Sequence, residues 1–316
     1  MSERKSAATR DAYGQTLLEL GRENPDIVVL DADLSASTKT SLFAREFPER
    51  FFDMGVAEQD MIGTAAGLAA CGKIAFASTF AVFGSGRAWD QVRQSVAYTR
   101  LNVKIVVTHA GITTGEDGAS HQANEDIAIM RALPNMTVIV PADAEQTSRV
   151  IRAAAKFFGP VYVRLSRPKT PLIYEGRDYE YKIGKGVILR EGSDLSILAC
   201  GLMVSEALDA AETLAREGIG ARVVDLHTIK PLDKELIVRC GRETGALVTA
   251  EEHSILGGMG GAVAEVLVEN FPVPMVRVGL KDIFGESGKP EELLVKYGIT
   301  APNIAAAART AVSRKK

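Results

Sequence analysis

The sequence predicts an α/β protein built of two three-layer α/β/α domains with mainly parallel sheets. Three observations carry that expectation. Short β-branched runs alternate with amphipathic runs, the pattern of strand–helix–strand units joined by right-handed crossovers. The strand candidates are near-continuous apolar runs, as expected of strands covered on both faces. The alternation breaks once, at residues 167–185 (RPKTPLIYEGRDYEYKIGK), where prolines, charges and tyrosines read as a linker. A chain of 316 residues has room for about two domains. Residues 1–178 and 179–316 are therefore expected to form one domain each.

In the first stretch the strand candidates are 27–33, 73–80, 103–110, 136–140 and 160–166. Between them, residues 57–70 place Met61, Ala65, Leu68 and Ala69 at helical spacing, with Gly72 as a stop. Further helices are expected over 86–99, 122–132 and 143–157, the last with Asp143 in the cap position. In the second stretch the strands are 186–191, 195–201, 221–227, 246–252 and 275–280. The turn containing Gly192 and Ser193 suggests that the first two of these pair antiparallel. Helices are expected near 203–217, 232–243, 258–270, 290–297 and 301–313.

Composition narrows the function. Apolar residues make up 46% and charged residues 24%, which excludes a disordered tail, a collagen-like fibre or a coiled coil. A net charge of −3 gives no electrostatic case for nucleic acid or an anionic membrane. No run is long and apolar enough to span a bilayer, and the N-terminus lacks an apolar signal core. Cys71, Cys200 and Cys240 are scattered, with no C-x-x-C spacing, which fits a reducing, cytoplasmic setting. No histidine or thiolate spacing suggests a metal site, so no metal ligand is expected in this chain.

Ligands of open α/β sheets bind outside the carboxyl ends of the strands. In the first stretch those ends carry Asp33 and Ser37, then Phe80 and Phe83, then His109 and a glycine-rich loop (111–122), then Ser166 and Arg167. The second stretch has Asp225 and His227 after one strand, and Glu251, Glu252 and His253 after another. The first stretch is richer and its loop longer, so the site is expected there.

Three segments, GVAEQDMIGTAAGLA (55–69), FASTFAVFGSG (76–86) and THAGITTGEDGASHQ (108–122), resemble the thiamine-diphosphate-dependent transketolases. The resemblance runs in order along the whole chain. It implies their pyrimidine-binding domain followed by their C-terminal domain, as in the C-terminal subunit of a split transketolase. Glu58 falls where the family's glutamate bonds the cofactor's aminopyrimidine nitrogen. A proton shared there favours the imino tautomer, which activates the thiazolium carbon. Phe80 and Phe83 match the aromatic wall against that ring. The family often has tyrosine three positions after the second aromatic, where this chain has Gly86.

The same resemblance places His109 and His121 against substrate, His121 near the reacting hydroxyls and His109 near substrate oxygens or phosphate. It makes Asp117 the contact to a sugar hydroxyl and Asp33 an acid beside cofactor and sugar. Ser37 and Arg167 match positions that hold the acceptor's phosphate, and Gln122 is read as orienting the loop.

The family's G-D-G…N site for diphosphate and metal has no counterpart here. The run at 257–261 (GGMGG) reads as a flexible helix entrance. The resemblance therefore implies half an active site. An N-terminal transketolase subunit would bring the diphosphate site and Mg2+ or Ca2+, and two copies of each chain would give a heterotetramer. The implied reaction is ketol transfer from a xylulose 5-phosphate type donor to a ribose 5-phosphate type acceptor, in the pentose phosphate pathway. Other readings are a deoxyxylulose-phosphate synthase-like or 2-oxo acid dehydrogenase β-like subunit, a transketolase for a sulfonated or branched sugar, and a non-catalytic scaffold. Glu251, Glu252 and His253 are expected to serve interface hydrogen bonds and helix capping.

Overall fold

A computed structural model describes residues 5–315. In chain order its strands are β1 (Ser6–Ala8), β2 (Ile27–Asp31), β3 (Phe51–Asp53), β4 (Ile74–Phe80), β5 (Val103–Thr108), β6 (Thr137–Ile139) and β7 (Val161–Arg164). They continue with β8 (Lys169–Pro171), β9 (Val187–Arg190), β10 (Leu195–Ala199), β11 (Ala221–Asp225), β12 (Thr228–Lys230), β13 (Leu247–Ser254) and β14 (Met275–Leu280). One sheet has the order β12-β6-β7-β5-β4-β2-β3 and is parallel except at the β12–β6 edge. The second has the order β14-β13-β10-β11-β9, parallel except at β9.

Side chains of successive residues leave a strand on opposite faces. Along β2, Ile27 and Val29 enter one core with Phe76, Val106, Tyr13 and Leu17. Val28 and Leu30 enter the other, with Ala75, Ala77 and Ile105. Such two-sided burial explains the unbroken apolar runs. Each aliphatic side chain buried this way contributes about 1.5–3 kcal/mol.

Several expectations need correction. β9 pairs antiparallel with β11, not with β10, because β10 has β11 and β13 on its two edges. The span 86–99 is not one α-helix. It holds two π-helical turns, Phe83–Arg87 and Val92–Ala97, around a short Trp89–Gln91 turn. The helix expected from residue 122 starts only at Asp126. The linker contains β8, which pairs antiparallel with β1. β12 belongs to the second stretch, yet it extends the sheet of the first, so the two stretches share a sheet.

A carboxylate cluster locks that junction. Asp143 caps the Ala144–Lys156 helix through Gln146 N (2.7 Å) and accepts from the backbone N–H groups of Ile173 (2.5 Å) and Tyr174 (2.8 Å). Asp225, fully buried, accepts from Gln146 Nε2 and Tyr174 Oη, each at 2.6 Å, through one oxygen. Its other oxygen has no hydrogen-bond partner among the described residues. Burial pushes this carboxyl up to about 7 from the ordinary 3.8. The folded chain therefore keeps a proton that the unfolded chain has released. The resulting stabilisation is full below the unfolded value and is lost as pH rises through about 7. Raising the pH from about 5 to about 8 should lower the urea midpoint of the parent chain. Asp225→Asn, which mimics the protonated group, should flatten that slope, and equal slopes in urea titrations would refute the assignment.

Candidate active site

Four adjacent strands, β7, β5, β4 and β2, end side by side, and the site is built on those ends. β4 stops at Phe80, and the π-helical turn after it brings Phe83 over Phe80, centroids 6.1 Å apart and planes 13° apart. β5 stops at Thr108. His109 then takes a left-handed φ of 57° and stacks on Phe80 at 3.8 Å. His121, from the far end of the loop, sets its ring edge-on to Phe83 at 5.3 Å and to Phe80 at 6.4 Å. Phe80, Phe83, His109 and His121 thus form one aromatic cluster.

The tautomer of His109 follows from its neighbours. Arg10 Nη1 lies 3.5 Å from His109 Nε2 and can only donate, so Nε2 accepts. The ring proton then sits on Nδ1 and points at Thr108 Oγ1, 2.8 Å away. Burial, together with the charges of Arg10, Arg167 and His121, drives the imidazole down to about 3. His109 is neutral across the physiological range.

Arg10 is a site residue that motif reasoning missed, since it lies in an unremarkable helix start. The β1–β8 pairing ends at Ala8↔Lys169, and the helix that opens at Thr9 sets Arg10 within electrostatic reach of Arg167. Arg10 also donates to the carbonyl of Ser37 (3.2 Å), which ties the third predicted anion contact to the same corner. Arg167 donates to the Thr114 carbonyl and to Glu116 Oε2 (2.8 Å). Asp33 and Asp117 are exposed. The N–H of Asp33 donates to Asp53 Oδ1 (3.2 Å). Among the described residues neither Asp33 nor Asp117 hydrogen-bonds through its carboxylate to the rings or the arginines.

Glu58 opens the Glu58–Ala70 helix and is 1% exposed. Both its oxygens accept from Arg87 Nη1 at 2.9 Å. Arg87 was also missed. Its guanidinium lies 4.6 Å from the centre of the Phe83 ring and so connects Glu58 to the aromatic cluster.

The glycine-rich loop is carried by the second stretch of chain. Thr113 N donates to Glu252 Oε1 at 2.7 Å. A Cβ on Gly111, whose φ is +79°, would lie 2.3 Å from the Glu252 carboxyl group, so the close approach requires glycine. Gln122 Nε2 donates to the carbonyls of Glu286 (2.9 Å) and Ile112 (3.2 Å), which fixes the loop as expected. Burial raises Glu252 to about 7. Glu251 accepts from Met259 N (2.7 Å) and Gly260 N (2.8 Å) and so caps the next helix. Among the described residues no group of three or more His, Cys, Asp or Glu side chains could hold a metal ion.

This constellation fits the ring end of a heterocyclic cofactor. A buried carboxylate can bond a ring nitrogen, and a flat apolar wall can take the ring face. Beside it, two arginines and a neutral imidazole suit a polar, anionic substrate.

Comparison with known proteins defines the class. Residues 5–172 match the family model for the transketolase pyrimidine binding domain, and residues 184–304 match the transketolase C-terminal domain. The chain belongs to the transketolase family. It is 57% identical to a putative transketolase C-terminal section from Methanocaldococcus jannaschii, over 94% of this chain and 93% of that protein. It is 49% identical to a 6-deoxy-6-sulfo-D-fructose transketolase subunit from a Clostridium species, over 97% of this chain and 95% of that one. Among solved structures it resembles a split gene transketolase described as an inactive beta4 tetramer, with TM-score 0.92 and 57% identity. That match covers 98% of this chain and 99% of the other. The family generally uses thiamine diphosphate with a divalent metal.

Nitrogen-15 NMR should find His109 neutral, with its proton on Nδ1, throughout about pH 5 to about pH 8. A His109 titration near pH 6 would contradict the geometry.

Proposed function

We propose that this chain is the C-terminal subunit of a two-chain transketolase. It would transfer a two-carbon ketol unit reversibly from a ketose phosphate to an aldose phosphate, and only together with an N-terminal subunit that binds the diphosphate and Mg2+ or Ca2+. The observation that carries this reading is Glu58, a buried carboxylate beside an aromatic wall, in a chain whose described residues hold no group of three or more His, Cys, Asp or Glu fit for a metal ion. The division near residue 178, a heterotetramer of two copies of each chain, and a cytoplasmic location consistent with three free thiols belong to the same proposal.

When bound, thiamine diphosphate supplies the nucleophilic carbon for ketol transfer. Glu58 holds a ring nitrogen, and Phe80 and Phe83 orient the ring and exclude water from its face. His109, neutral with its Nδ1 proton committed to Thr108, accepts a hydrogen bond from a substrate hydroxyl through Nε2 in exchange for that of Arg10, whose guanidinium turns to the substrate's anionic end. His121, half-exposed on the loop, is the residue free to relay a proton. Asp117 and Asp33 contact sugar hydroxyls. Ser37, Arg167 and the newly recognised Arg10 take the anionic end of the sugar, where guanidinium groups give forked, charge-assisted bonds. Similarity to the sulfofructose enzyme subunit favours a second reading, a sulfonated sugar donor in the same anion corner.

Reconstitution with the N-terminal subunit, thiamine diphosphate and magnesium should yield ketol transfer, and a panel of phosphorylated and sulfonated donors separates the two readings. Glu58→Ala should cut reconstituted turnover by about a hundredfold or more with assembly intact. Unchanged turnover in an assembled complex would instead mark the chain as a scaffold.

A further inference from the structure

The contact between Arg87 and Glu58 uses the surfaces that a cofactor ring needs. Glu58 is 1% exposed, and among the described residues the hydrogen-bond donor on its carboxylate is Arg87 Nη1, at 2.9 Å from both oxygens. The guanidinium is flat, lies 4.6 Å from the Phe83 ring centre, and presents N–H groups to the carboxylate. A flat heterocycle on the same wall and bonded to the same carboxylate would have those contacts. Arg87 itself is anchored weakly. Its side chain is 49% exposed, among the described residues it has no other ion pair, and it sits in a π-helical turn next to Gly86. A Cβ on Gly86 would meet nothing within 4 Å, so the side of the turn has space. A buried carboxylate without a counter-charge is costly, so the pair opens where another group takes over Glu58, and half-exposed Arg87 then loses little by turning to solvent.

We infer that Arg87 is an internal placeholder. In the free chain it neutralises Glu58 and covers the Phe83 face, and it swings to solvent when a ring bonds Glu58. This inference rests on the proposed function and adds a competitor to that site. Arg87 is a positioning residue here, since it acts through Glu58. Its removal should therefore strengthen cofactor binding while weakening the free chain, a pair of effects that a plain structural salt bridge would not produce.

Two measurements test it. In the isolated chain, a urea double-mutant cycle with Glu58→Gln and Arg87→Ala should be non-additive; additive effects would mean that the two groups do not pair. In the reconstituted complex, calorimetric titration with thiamine diphosphate and magnesium should show Arg87→Ala binding about three- to ten-fold tighter than the parent, with Arg87→Gln, which keeps one neutral donor, in between. Equal or weaker binding by both variants, while the parent binds, would overturn the placeholder and make Arg87 a permanent partner of Glu58 or a cofactor contact. Failure of the parent complex itself to bind would defeat the transketolase reading and the placeholder with it.

Discussion

The Arg164 guanidinium holds this molecule to one arrangement. It is 6% exposed and lies at the end of β7. Its Nε donates to both oxygens of buried Asp126 (3.1 and 2.9 Å), while Nη2 donates to the carbonyls of Ala123 (3.1 Å) and Glu252 (2.9 Å). Tyr162 Oη completes Asp126 at 2.8 Å. One cation therefore fixes the end of the glycine-rich loop, a central strand of the first sheet and the longest strand of the second. Buried pairs of this kind are weak as net stabilisers, but losing one partner typically costs about 3–5 kcal/mol. The cluster's chief effect is positional: Glu252 can then hold the loop at Gly111 and Thr113, and the loop can hold His121 against Phe83.

Electrostatics divide the site into two zones. Around Glu58 a single anion meets a single half-exposed cation on an aromatic face. Around His109 two arginines face an imidazole whose charge is suppressed by burial and by those same arginines. Arg167 shares its charge with Glu116, while Arg10 donates, among the described residues, to the neutral acceptors Ser37 O and His109 Nε2. Excess positive charge at that corner suits an anionic ligand, beside an imidazole that carries no charge of its own. Ring end and anion end lie along one row of strand termini.

Most of the layer architecture was legible from sequence, because two-sided burial writes unbroken apolar runs such as 27–33 and 103–110. What those runs do not record is which strand lies beside which. β9 and β10 are joined by a glycine turn, yet β11 lies between them. The crossing of β12 into the first sheet was invisible for the same reason, since three residues, Thr228–Lys230, carry no periodicity. The aromatic cluster and Glu58 were legible as motif residues at strand and helix ends. Arg10 and Arg87 were not. Each acts through a long side chain, Arg10 from the first turn of the helix that follows β1 and Arg87 from an irregular turn where sequence suggested a plain helix. Asp33 and Asp117 matched motifs, yet their exposed carboxylates make no contact with the rings or the arginines among the described residues.

In the proposed function, one cofactor site is divided between two polypeptides. Calorimetric titration of the purified chain alone with thiamine diphosphate and magnesium tests that division most directly. No saturable heat should appear for the isolated chain, and binding should appear once the N-terminal subunit is added. Tight, saturable binding by this chain without a companion would contradict it.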